Sequence, residues 1–180
     1  MKNRCIIFLL SIIISVTAVF ICLQKPTVSQ TQTSQYLRIH IRADSNETGA
    51  QAVKYQVRDA VVQYLTPIVA NCQTKEQATS QISQRLLSIQ AVANGVLQAQ
   101  NISYSAQASV KTESFPTRVY GEYTLPSGEY TALIIALGTG QGDNWWCVVY
   151  PPLCFVAPTG QNVVYKSKIL EIIERWKSSN

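Results

Sequence analysis

From Tyr36 to Asp44 the chain reads YLRIHIRAD, with Leu37, Ile39, Ile41 and Ala43 alternating against Arg38, His40 and Arg42. A period of two predicts a strand with one face in the core and the other in water, so the three basic side chains are expected on the wet side. The turn and capping residues DSNETG follow. From about Glu47, Val53, Val57, Ala60, Val61, Tyr64 and Ile68 recur at helical spacing, with Pro67 expected to bend or interrupt the helix. A second helix is predicted to start at Thr74, where Thr-x-x-Gln through Gln77 makes a capping box, and to continue through Ala78, Ile82, Leu86, Ile89, Ala93 and Leu97. The two helices are expected to pack as an antiparallel pair.

After Asn101 the period returns to two, through Ile102, Tyr104, Ala106, Ala108 and Val110. The segments VYGEYTL and YTALIIALG are predicted to form a strand pair joined by PSGE around Pro126 and Gly128. The loop GTGQGDN, from Gly138 to Gly142, is expected to connect a hairpin, because no Lys-Ser/Thr and no helix follow it as phosphate binding would require. WWCVVY resumes as a strand that Pro151 and Pro152 end. A closing amphipathic helix, YKSKILEIIERWK, places Ile169, Leu170, Ile172, Ile173 and Trp176 on its apolar side. A strand, two helices, a strand run and a final helix make an α+β fold.

Ahead of this domain, Lys2 and Arg4 precede nineteen uncharged residues, Cys5 to Leu23. As a helix that run spans about 28 Å, close to the hydrocarbon thickness of a bilayer. Residues 1–23 are expected to be either an uncleaved membrane anchor or a cleaved signal peptide, with the basic head kept cytoplasmic and everything after Leu23 exported. Residues 24–35, QKPTVSQTQTSQ, are too polar to build a core and are expected to be a flexible tether. Residues 36–180 are expected to be one exported domain.

The formal charge is +5, and after Leu23 thirteen Lys and Arg face ten Asp and Glu with no basic run. Nucleic-acid binding would call for a basic stripe, so no nucleic-acid partner is expected. One histidine and the Cys147/Cys154 pair supply at most three zinc ligands at an unusual spacing, so neither a metal nor a cofactor is expected. Asn101-Ile102-Ser103 fits a glycosylation sequon but is read as a strand edge.

The stretch NWWCVVYPPLCFV, Asn144 to Val156, holds most of the candidate chemistry. In an oxidising compartment Cys147 and Cys154 are expected to form a disulfide, with two buried thiols as the alternative; Cys72 reads as a core residue. A catalytic thiol would have to use His40 with a third group to orient the ring, and on the polar side of the first strand His40 is read instead as solvated or partner-facing. Trp145 and Trp146, adjacent in a strand, are expected on opposite faces, one in the core and the other exposed as a partner anchor. The stretch is thus read as a rigid display loop. Trp145, Trp146, Asn144, Pro151 and Pro152 are its expected partner contacts, with Arg38, His40 and Arg42 as weaker ones.

With LRIHIRADS, KYQVRDAV, FPTRVYGEYTLPSGEY and NWWCVVYPPLCFV together, the chain resembles the stage II sporulation protein R family of endospore-forming bacteria over Leu37 to about Val156. The resemblance implies a non-enzymatic signalling protein, exported into the space between the two septal membranes. There it would activate a membrane-embedded aspartic protease that processes the precursor of sigma factor E. An exported thiol hydrolase using His40 with Cys147 or Cys154, and a structural septal protein, are the alternatives.

Overall fold

The computed structural model describes residues 33–120, 123–155 and 163–178. The expected anchor and residues 24–32 of the expected tether lie outside them. Among the described residues no helix is long and apolar enough to cross a membrane.

The fold is α+β. In chain order the elements are β1 (Leu37–Arg42), α1 (Thr48–Val69), α2 (Lys75–Ser83), α3 (Leu86–Ala99), β2 (Ala106–Phe115), β3 (Arg118–Tyr120), β4 (Tyr123–Leu125), β5 (Gly128–Leu137) and β6 (Asn144–Tyr150). A 3-10 turn (Leu153–Phe155) and α4 (Val163–Ser178) close it. Four strands form one sheet in the order β2-β5-β1-β6, and β3 and β4 pair separately as a short antiparallel ribbon.

Local chemistry accounts for several boundaries. The Thr74 hydroxyl accepts from Gln77 N–H at 3.2 Å, while the Gln77 side chain accepts from Gln73 N–H rather than from Thr74, one residue out from a regular capping box. Pro67 does not stop α1 early, because it falls in the last turn before the helix ends at Val69. The predicted second helix is two helices. The backbone breaks at Arg85, whose N–H bonds Ile82 O, and no Gly or Pro marks the place in the sequence. Asn101 is no strand edge. It stands at φ 55° and closes α3, with its own N–H on Gln98 O and the next, from Ile102, on Leu97 O.

The sheet is mixed, since β1 runs parallel to β5 and antiparallel to β6. β5 pairs with β2 and β1, not with the VYGEYTL segment as expected. Nor is the glycine loop a hairpin connection, because β1 lies between β5 and β6 and the loop has to cross the end of β1. The loop is tied to that end by Gly142 N–H on Ala43 O and by Thr139 on both Asp44 Oδ1 and Asp44 O.

One face of the sheet, carrying Ile39, Ile41, Leu133, Ile135, Leu137, Cys147 and Val149, packs on Val57, Val61 and Leu65 of α1, Ile82 of α2 and Ile89, Ala93 and Leu97 of α3. The other face, carrying Phe115, Tyr130, Ala132, Ile134, Trp146 and Val148, packs on Tyr120, Tyr123 and Leu125 of the β3–β4 ribbon, with Tyr36 beside them. This second layer overturns the expected wet side of β1: Arg38 is 0% exposed and His40 4%. Of the closing helix, Ile172 and Ile173 are buried and Leu170 is exposed. Thr33, within the expected tether, is buried as well.

Candidate partner-binding face

Arg38, His40 and Arg42 project from β1 toward the aromatic layer. In register with them on β6 stand Val148, Trp146 and Asn144. The fold therefore gathers Arg38, His40, Arg42, Trp146 and Asn144 on one face. Trp145 is opposite Ile41 and belongs to the helix-facing core, while Pro151 and Pro152 are buried.

Arg38 is held by stacking. Its guanidinium lies 4.2 Å from the Phe115 ring centre and 4.8 Å from that of Tyr130, and Nη2 donates to Tyr120 Oη at 2.8 Å. Among the described residues Nε and Nη1 make no further hydrogen bond of good geometry. Burial lowers its pKa, and the Tyr120 contact opposes that shift. No carboxylate is paired with it among the described residues, so the aromatic faces carry the compensation that an ion pair would otherwise supply.

His40 Nδ1 lies 2.9 Å from Glu113 Oε2, and Arg42 Nη2 pairs with the other oxygen of the same carboxylate. Burial pulls the imidazole down from 6.5 to about 4. Asn144 opposes that shift, while Arg42, Lys111 and Arg38 reinforce it. The Glu113 carboxylate favours a charged ring, but its charge is already engaged by Arg42, and burial prevails. The ring is thus neutral at pH 7 and donates from Nδ1. It also stacks at 5.3 Å on Trp146, which in turn lies under Arg118 at 4.3 Å.

The outer rim of this face is cationic. Arg42, Lys111 and Arg118 border it, with Glu113 as the one carboxylate among its described members. Sequence reasoning missed Glu113 and Tyr120, which reach β1 across 71 to 82 residues of chain, and also Lys111 and Arg118, the latter lying over Trp146 of β6. For Lys111 and Glu113 the one legible signal was a charged side chain at alternate positions of β2; Arg118 and Tyr120, on β3, left none.

The stretch NWWCVVYPPLCFV is not a display loop. It is mostly β6, with Cys147–Tyr150 buried and both tryptophans half-buried rather than one of them exposed. Cys147 and Cys154 are joined by a disulfide, with Cα atoms 6.1 Å apart. That bridge brings the chain back along the outer edge of β6, where Val148 N–H points at Cys154 Sγ, 2.9 Å away. The thiol-hydrolase constellation is not assembled. Cys147 pairs in register with Ile39, so it faces the helices, whereas His40 faces the aromatic layer across the sheet. Cys72 is a buried free thiol of the core.

A family model described as Stage II sporulation protein R matches residues 33–159. The Stage II sporulation protein R of Bacillus subtilis (strain 168) is 38% identical over 122 residues, which cover 68% of this chain and 54% of that protein. The chain thus spans about half the length of the curated relative it matches. No solved structure matches. The matched residues take in the whole four-stranded sheet, the aromatic layer over Arg38 and both bridged cysteines, and on them the chain belongs to the stage II sporulation protein R family, a family of sporulation proteins.

Proposed function

We propose that this chain is an exported signal of endospore formation that binds a membrane-embedded aspartic protease from the intermembrane side and biases it towards its active state, so that the precursor of sigma factor E is processed. Export is assigned to residues 1–23, with the domain acting between the septal membranes. The observation that supports a binding role is the cationic rim, Arg42, Lys111 and Arg118 around Glu113, laid over the Trp146 indole. An aromatic floor under a cationic rim suits an acidic segment of a partner, with the charges steering encounter. To act as a switch, the chain must bind the active form of the protease more tightly than the inactive one.

Co-expression of this chain with the protease and its precursor substrate tests the reading, with cleavage scored in the presence and absence of the chain. Wild type should trigger cleavage, and Lys111→Glu with Arg118→Glu should lower its rate about tenfold while the domain stays folded. Cleavage that is independent of the chain would reject the protease reading. Cleavage that needs the chain but ignores both reversals would reject the rim as its contact.

A further inference from the structure

The two edges of the sheet are treated differently. On β6, Cys154 lies against the outward N–H of Val148. On β2, α3 covers the first part of the edge, where Asn94 Oδ1 accepts from Ala106 N–H at 2.7 Å and Gln90 Oε1 from Ala108 N–H at 3.3 Å. The ladder to β5 runs without a register shift from Ala106 to Phe115, so outward amides fall on every second residue. After Ala108 these are Val110, Thr112 and Ser114. The next position in that series is Pro116, which has no N–H. Among the described residues a short open stretch remains, bounded by side-chain caps on one side and a proline on the other, with Lys111, Thr112 and Ser114 exposed.

We propose that this stretch is a homodimer edge, pairing antiparallel with a second copy of the chain about a two-fold axis at Thr112. The open stretch is symmetric about Thr112, so pairing it with itself sets Val110 against the partner's Ser114 and Thr112 against the partner's Thr112. Each outward N–H then meets an outward carbonyl. The same register sets Lys111, twice over, against the partner's Glu113, whose carboxylate already meets His40 and Arg42 of its own chain and would add this lysine as a further cation. An edge lysine ordinarily discourages pairing, but here it meets an opposite charge in this register and would lack one after a shift of a single residue. That charge complementarity selects a second copy over an unrelated strand. The inference goes beyond the protease reading and is tested on this chain alone.

Purified full-length chain carrying Thr112→Cys is treated with a short bis-maleimide and run on a denaturing gel. In the proposed register the two Thr112 Cα atoms lie about 5.5 Å apart, within reach of such a linker. Cross-linked dimer should appear well above that of wild type, whose own cysteines set the background. Gln107→Cys, on the same strand but far from its symmetry mate, should stay at background. Two second changes in the Thr112→Cys chain should each cut the dimer about tenfold with circular dichroism unchanged: Ser114→Pro, which removes an outward N–H, and Lys111→Glu, which faces Glu113 with a like charge. Background-level dimer from Thr112→Cys, equal dimer from Gln107→Cys, or insensitivity to both second changes each overturns the proposal.

Discussion

His40 Nδ1 lies 2.9 Å from Oε2 of Glu113, 73 residues away in the chain, and burial keeps the imidazole at this contact neutral inside an electropositive face. The folded-state pKa, about 4, lies below the ordinary value of 6.5, so acid protonates the unfolded chain first. The stability carried by the neutral ring is therefore whole above about pH 6.5 and is lost as pH falls towards 4, by about 3 kcal/mol in all. Denaturant unfolding of wild type and His40→Gln across this window should show a stability difference that shrinks as pH falls. Parallel curves would contradict the assignment.

Arg38 is a buried cation stabilised by rings rather than by a carboxylate. Arg38→Met retains much of the side-chain volume and removes the desolvated charge, so its stability should stay within about 1 kcal/mol of wild type or exceed it. Arg38→Ala leaves a hole between Phe115 and Tyr130 and should lose about 3 kcal/mol. Urea midpoints for the two proteins distinguish this from a functional anion site, for which both changes would spare stability and abolish activity alike.

Cys154 closes a short loop and also covers the Val148 amide at the sheet edge. Replacing both Cys147 and Cys154 by Ser should cost about 2 to 3 kcal/mol on the loop-entropy account. It should also speed hydrogen exchange at Val148 more than at Val149, and equal acceleration at the two amides would mean that the bridge acts on the unfolded chain alone.

Gly142 passes so close to Ser45 that a β-carbon there would overlap the Ser45 carbonyl. Gly142→Ala should push the loop off the end of β1, weakening the Gly142 N–H bond to Ala43 O and the Lys54 Nζ bond to Asp143 O. A loss of about 2 to 3 kcal/mol is expected in thermal unfolding. Gly49→Ala, with open space around the added carbon, provides the control and should change little.

Periodicity carried much of the secondary structure. Leu37, Ile39 and Ile41 as one buried face, the helical stripe through Val53, Val57 and Val61, the Thr74 cap and the amphipathic closing helix are local facts, each set by side chains a few residues apart. The break at Arg85 left no such trace, because Ile82 and Ile89 keep helical spacing across it.

What the chain's own pattern settled, then, was where strands and helices form and that they combine as α+β. What only the tertiary structure decided was whether the second face of β1 is wet. A period of two says that Arg38, His40 and Arg42 share a side, but not what lies on that side. The answer depends on Phe115, Tyr120, Tyr130 and Glu113 arriving from distant strands, and on β1 lying between β5 and β6 rather than at an edge. Alternation is a property of one strand, whereas burial of its polar face is a property of the layer that covers it.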